Sequence, residues 1–248
     1  MGSKQHLLSL SNQLWWADGW PQSSAQNTVT SGFETLDQAL PGGGWPCGAL
    51  TELLSKQHGI GELRLLAPVL RQFTSQQKTV MLIDPPMLPY GPALVTYGID
   101  LRYVILLKAK HVMDRLWAIE QCLRSNSLGS ILAWLPHSDL RPEIFRRLQL
   151  AAQPCEGPSF IFRPSEVQSQ ASAAPLRILL LPRSQQRLGL RILKRRGPWH
   201  ADSHDIELPQ SMQGLQLRWL RSGAPAATDP ASTDRSSTPM QQEALISH

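Results

Sequence analysis

The chain has 248 residues, 42% of them apolar and 17% charged, a balance that can bury the core of one large domain or two small ones. Its 20 prolines and 17 glycines punctuate apolar runs without forming a repeat, which excludes collagen-like and uniformly disordered chains. The formal net charge of +5 is modest, so where the basic residues fall matters more than their sum.

Residues 1–30 carry the close set Trp15, Trp16 and Trp20 followed by a polar run, and read as an amphipathic arm on a flexible link. Large aromatics in a polar arm are costly to leave in water, so this cluster either folds back on its own domain or anchors a partner. The arm has one lysine and no apolar stretch ahead of a small-residue cleavage site, so no secretory signal is expected and the cytoplasm is the expected compartment. Ser31 and Glu34 have capping-box spacing, and Phe33, Leu36 and Leu40 follow at helical intervals until a proline-glycine run closes the turn.

From residue 49 onward, strand-length apolar runs alternate with helical periods. Strands are predicted over 49–54, 79–84, 103–107, 130–134 and 159–162. Helices are predicted through Leu63, Leu66, Leu70 and Phe73, and over 92–97, 112–123 and 142–152. Near-continuous apolar strands separated by amphipathic helices predict an α/β fold, a mostly parallel sheet with helices on both faces. No apolar run reaches the ~20 residues of a membrane-spanning helix, so no membrane contact is expected. After Arg163 the alternation stops: 165–174 reads as a loop, and 176–181 with 188–193 as an antiparallel hairpin at the sheet edge. The Ala-, Ser-, Thr- and Pro-rich end predicts disorder. The expected organisation is an arm over 1–30, a domain over 31–197 that includes the hairpin, and a flexible tail over 198–248.

Two regions carry the chemistry. His58–Leu63 occupies a strand-to-helix turn, where free backbone N–H groups and a helix N-terminus favour anions. A working phosphate loop, GxxxxGK[ST], sets its lysine on the β and γ phosphates and its hydroxyl on magnesium. With Gly61 aligned on the last glycine, Lys56 takes the first glycine position, Glu62 the lysine position and Leu63 the hydroxyl position. A carboxylate repels a triphosphate, and Leu63 cannot hold a metal. Gly59 and Gly61 are therefore read as glycines of a tight turn, with nucleotide binding without hydrolysis as the alternative. The second region, 177–196, holds Arg177, Arg183, Arg187, Arg191, Lys194, Arg195 and Arg196 and no acidic residue. On strands, Arg177 and Arg191 would share a face, which suits a phosphate backbone or an acidic partner; the alternative is a solvated edge that uses charge against aggregation.

Other constellations are weaker. His200 and His204 are four apart with Asp202 and Asp205 nearby, but Pro198 and the polar context point to a solvated loop instead of a metal site. Cys47, Cys122 and Cys155 are odd in number and widely spaced, which fits neither a disulfide framework nor a zinc site, and Cys47 reads as a small filler more readily than as a reactive thiol. No cofactor and no metal is expected.

Thr30–Leu54, with its Thr-Ser-Gly, Leu-Asp, Gly-Gly-Gly and Pro-Cys-Gly elements ahead of Glu52, resembles the opening of the recombinase RecA, and the likeness runs through about 28–160. It implies a RecA-like, phosphate-loop-type sheet whose phosphate loop is degenerate. The family's water-activating glutamate, two residues past the strand-end aspartate Asp84, corresponds to Pro86, and its metal-organising aspartate to Trp134. Trp134 reads equally as a core aromatic or as a partner contact. The segments at 59–66, 84–93, 133–136 and 191–198 are similar to those of the ImuA family, RecA-like accessory proteins of bacterial SOS mutagenesis. That resemblance implies a non-catalytic adaptor in translesion DNA synthesis. Its implied partners are an ImuB-like, Y-family-related protein and an error-prone replicative-type polymerase, with RecA a further candidate and DNA contact weak and sequence-indifferent. Part of the pattern, including Phe160–Pro164, also resembles the cell-division inhibitor SulA, which implies instead a protein that binds the division GTPase.

Overall fold

The computed structural model describes residues 27–125, 127–136, 139–184, 186–197 and 203–209. The arm tryptophans Trp15, Trp16 and Trp20 lie outside the described residues, as does the chain beyond 209. Contacts divide the chain into Met1–Ser211, which holds every described residue, and Met212–His248.

Among the described residues, ten strands form two sheets. β1 (Thr28–Val29) pairs antiparallel with β2 (Trp45–Pro46) in a small ribbon. The main sheet contains β3 (Leu50–Ser55), β4 (Thr79–Ile83), β5 (Val104–Leu107), β6 (Leu128–Trp134), β7 (Ser159–Pro164), β8 (Leu176–Ser184), β9 (Arg187–Lys194) and β10 (Ser203–Glu207). Their order is β10-β9-β8-β3-β7-β6-β4-β5. Every pair from β8 through β5 is parallel, and β8-β9-β10 are antiparallel, so the sheet is mixed.

The predicted alternation is seen in the helices: α1 (Glu34–Ala39), α2 (Glu62–Ser75), α3 (Gly91–Thr96), α4 (Val112–Arg124) and α5 (Pro142–Ala152). On one face, Leu36 of α1, Leu65, Leu66, Val69, Leu70 and Phe73 of α2 and Leu94 of α3 pack with Leu53, Leu132, Phe160 and Ile178 of the sheet. On the other, Leu116, Ile119 and Leu123 of α4 and Phe145 and Leu148 of α5 cover Leu50, Ile83, Ile131 and Ile161. Both faces are buried, which is why β3 is buried at all six positions, its polar Thr51, Glu52 and Ser55 included.

Three expectations change. The Ser31–Glu34 capping box does not form: Asp37 reaches back and accepts the Ser31 N–H at 2.7 Å and the Thr30 hydroxyl at 2.5 Å. The 176–193 hairpin forms, but β9 is not the edge, because residues expected in a solvated loop pair with it as β10. β10 thus lies within 198–248, read as a flexible tail, and β1 within 1–30, read as the arm.

A carboxylate lies in the middle of this sheet. Glu52 is wholly buried, and the parallel registers place Arg177 of β8 beside it and Arg163 of β7 two pairs further along, on the same face. Arg177 Nε donates to Glu52 at 2.8 Å, Arg163 Nη1 lies 3.6 Å away, and the Ser172 hydroxyl also donates to Glu52. Arg177 spends its other donors on the carbonyls of Val167, Gln168 and Gln170, and the Arg163 guanidinium stands 3.9 Å over the Phe145 ring. Burial pulls the Arg163 pKa down, against the opposing pull of Glu52. Removing one member of a buried ion cluster strands the others, at a cost of about 3–5 kcal/mol. Glu52→Gln is expected to lose stability on that scale in urea denaturation, and Arg177→Met to do the same.

Candidate partner-binding site

The chain leaves β3 for β4 on one side and later returns from β7 to β8 on the other, so the carboxyl end of β3 lies at a change of direction in the sheet, the usual place for a crevice. The loop 56–61 leaves β3 there and opens α2. Gly59 (φ 77°) and Gly61 (φ 109°) take left-handed backbone angles, and a Cβ on Gly61 would stand 2.4 Å from Leu208 Cδ1. The angle at 61 thus calls for glycine, and a side chain there would also have to push the end of Leu208 aside.

Glu62 is the first residue of α2, and its carboxylate turns back into the loop. It accepts the Gly59 N–H at 2.8 Å and the Gly61 N–H at 3.1 Å, and it is buried. An acid in a first helical turn is favoured by the helix dipole, and here it satisfies donors that would otherwise need an external anion. Leu63 packs against the core.

Opposite the loop, Pro85–Tyr90 follows β4, and Trp134 ends β6. Together with Gly59, Gly61, Glu62, Leu63 and Arg64 these residues enclose a cavity of about 290 Å³. Its outer wall is apolar and open to solvent: Met87 is 60% exposed, Leu88 78% and Tyr90 66%. Three prolines in six residues fix φ along this wall and remove donors that would need partners. Trp134 is 3% exposed and stacks on Phe162 with centroids 4.5 Å apart, so the core reading of this residue holds, although it also lines the cavity.

Of the residues singled out at the loop, Gly59, Gly61, Glu62, Leu63, Pro86 and Trp134 come together in this cavity. Asp84 does not join them. At φ 51°, it accepts the Ala109 N–H at 3.1 Å and pairs with Arg115, tying the ends of β4 and β5 to α4. Sequence reasoning gave no chemical role to Met87, Leu88 and Tyr90; the signal available was a proline-framed apolar run directly after a strand.

The basic stretch does not form one cationic face. Arg177 is buried against Glu52, while Arg183 pairs with Asp205 at 3.0 Å and Arg187 with Glu207 at 2.9 Å, both acids supplied by β10. Lys194 Nζ donates to the Ser172 carbonyl at 2.7 Å, and Arg195 Nη1 to the Ala39 carbonyl at 2.5 Å. Arg191 and Arg196 remain exposed, Arg191 with a 3.4 Å contact to Gln168. The expectation of a DNA-binding hairpin therefore fails at Arg177 and is blunted at Arg183 and Arg187: acids distant in sequence pair across the strands. His204 and Asp205 lie on β10, and no metal-binding group of three ligands occurs among the described residues. Nor, among them, is any helix long and apolar enough to cross a membrane.

The fold and cavity define an α/β protein with a mixed sheet and an apolar crevice at the strand ends. No family model matches the chain. It is similar to the cell division inhibitor SulA of Photorhabdus laumondii subsp. laumondii, 30% identical over 118 residues, which are 48% of this chain and 66% of that protein. It is likewise similar to SulA of Pectobacterium atrosepticum, 26% identical over 60% of this chain and 88% of the relative. A third similarity, to protein RecA of Mycoplasma genitalium, is 26% over half of this chain and 37% of the relative. The chain spans just under two thirds of the first of these relatives.

Two outcomes are expected here. Glu62→Ala strands the Gly59 and Gly61 donors and should cost about 1–3 kcal/mol in urea unfolding, with Glu62→Gln recovering part of the loss. Burial, reinforced by Cys155, raises the Cys47 thiol from 9.0 to about 11. The folded state thus favours the neutral thiol, and its contribution to stability is complete below pH 9.0 and lost as pH rises toward about 11. Alkylation of Cys47 at pH 8 should be slow, and Cys47→Ala should flatten the alkaline fall in melting temperature.

Proposed function

We propose that this protein acts by binding other proteins in the bacterial response to DNA damage, without hydrolysing ATP. The observation that carries this reading is the Glu62 carboxylate, bonded to the loop N–H groups that a nucleotide phosphate would need, beside an apolar cavity. Phosphoryl transfer depends on positive charge placed around the moving group. At the corresponding positions this chain has Glu62, Leu63, Pro86 and Trp134, so the phosphate loop is read as degenerate and the RecA-like sheet as a scaffold.

The names of the relatives favour inhibition of cell division as the role. A second reading, an ImuA-like adaptor joining a Y-family-related protein and an error-prone polymerase, is supported by the site itself: the ImuA-like segments 59–66, 84–93 and 133–136 supply the cavity wall. Any weak DNA contact falls to exposed Arg191 and Arg196 with the surface-paired Arg183 and Arg187, since Arg177 is buried against Glu52.

Purified full-length protein is expected to show no ATP turnover with or without single-stranded DNA. DNA-stimulated turnover that disappears on changing Glu62 would overturn the non-catalytic reading. Phenotype separates the two roles. A division inhibitor produces filaments on induced expression without damage; an adaptor leaves cell length unchanged, and its deletion lowers damage-induced mutation frequency.

A further inference from the structure

We infer that the cavity between loop 56–61, segment 85–90 and the end of β6 receives an apolar side chain from a partner-protein segment that carries carboxylates beside it. This rests on the protein-binding reading above and adds the chemistry of the partner.

The first support is the wall. Met87, Leu88 and Tyr90 are exposed within four residues of one another, held by Pro85, Pro86 and Pro89. Methionine and tyrosine are residue types that interfaces enrich, and a contiguous apolar surface around a concave centre is what a buried anchor requires. The second support is the inner wall: Trp134, 3% exposed and stacked on Phe162, lines the cavity and gives an apolar anchor an aromatic surface to pack on.

The third support is charge. The two carboxylates nearest the cavity are already committed, Glu62 to Gly59 and Gly61, and Asp84 to Ala109 and Arg115. The lysines beside it have no acid partner among the described residues: Lys108 Nζ is held at 2.5 Å by the carbonyl of Pro85, a cavity residue, while Lys108 itself stays exposed, and exposed Lys56 stands on the loop opposite. A carboxylate beside the apolar anchor meets these groups; a basic segment is repelled. A nucleotide is a poor occupant, because its phosphates would have to displace a tethered carboxylate from the loop.

The test selects random peptides displayed on phage against immobilised full-length protein, then measures labelled synthetic copies by fluorescence anisotropy. Enriched peptides are expected to share one aromatic or long aliphatic residue with Asp or Glu close by. Met87→Ser with Leu88→Ser, both surface changes, should weaken binding by about tenfold or more at unchanged melting temperature. Lys108→Glu should weaken it about threefold to tenfold and flatten its salt dependence. The inference is overturned by failure to enrich, by enrichment of basic peptides, or by peptides that bind all these variants as they bind the parent. Displacement by millimolar MgATP would assign the cavity to a nucleotide, and self-association abolished by Leu88→Ser would assign it to a second copy; either result also overturns it. Variants at 87, 88 and 108 that keep full activity in cells, in a protein without ATP turnover, would remove this cavity while leaving the protein-binding reading standing.

Discussion

A carboxylate buried in the middle of a sheet must have its charge met from the neighbouring strands, and Glu52 is met from both sides. Arg177 reaches it from β8 and Arg163 from β7, so the cluster fixes the register of the three central strands against slippage. A shift of one residue would turn Glu52 to the opposite face, among Leu132, Phe160 and Ile178, with no cation to meet it. Arg177 also binds three carbonyls of the 167–170 turn, so the same ion cluster holds down the loop that covers this end of the sheet.

With β3 fixed between β7 and β8, the exit of β3 is fixed too, and the loop and the start of α2 follow. The loop is then held from its far side. Leu208, beyond β10, packs on Gly61, and Arg64 Nε donates to the Pro209 carbonyl at 2.9 Å. β10 is in turn held to β9 by a five-residue antiparallel register and to the hairpin by the Arg183–Asp205 and Arg187–Glu207 pairs. Two of the arginines that looked like a nucleic-acid surface thus serve to dock the strand whose end closes over the loop.

What could be read from the sequence follows from how local the determining physics is. The parallel core was legible because its strands and helices carry apolar residues in strand-length runs and at helical periods: α5 appears where its period put it, and β3 to β7 lie close to their predicted ranges. Helix α1 was legible but its cap was not, since Asp37 reaches Ser31 from within the helix instead of from the expected box position. β10 was missed because Ser-His-Asp-Ile-Glu has a single apolar residue to bury, Ile206, and only pairing with β9 makes it a strand. At the site, Glu62 was recognised as wrong for a lysine position, yet that its carboxylate would fold back onto Gly59 and Gly61 depends on geometry that spacing alone does not contain. The role of Arg177 was hidden for the same reason: its partner Glu52 lies 125 residues away.

The loop and the wall opposite it are two parts of one change in chemistry. A strand-to-helix turn of this shape presents N–H groups that need an acceptor, and a side chain of the same loop or helix can supply it. Glu62 supplies it from the next residue, at the helix end where the dipole favours it. With Gly59 and Gly61 satisfied by Glu62, these two donors make no demand on the residues facing the loop, which are proline, methionine, leucine and tyrosine. An anion site closed by its own side chain and an apolar wall open to solvent are therefore mutually consistent, because the first removes the electrostatic reason against the second.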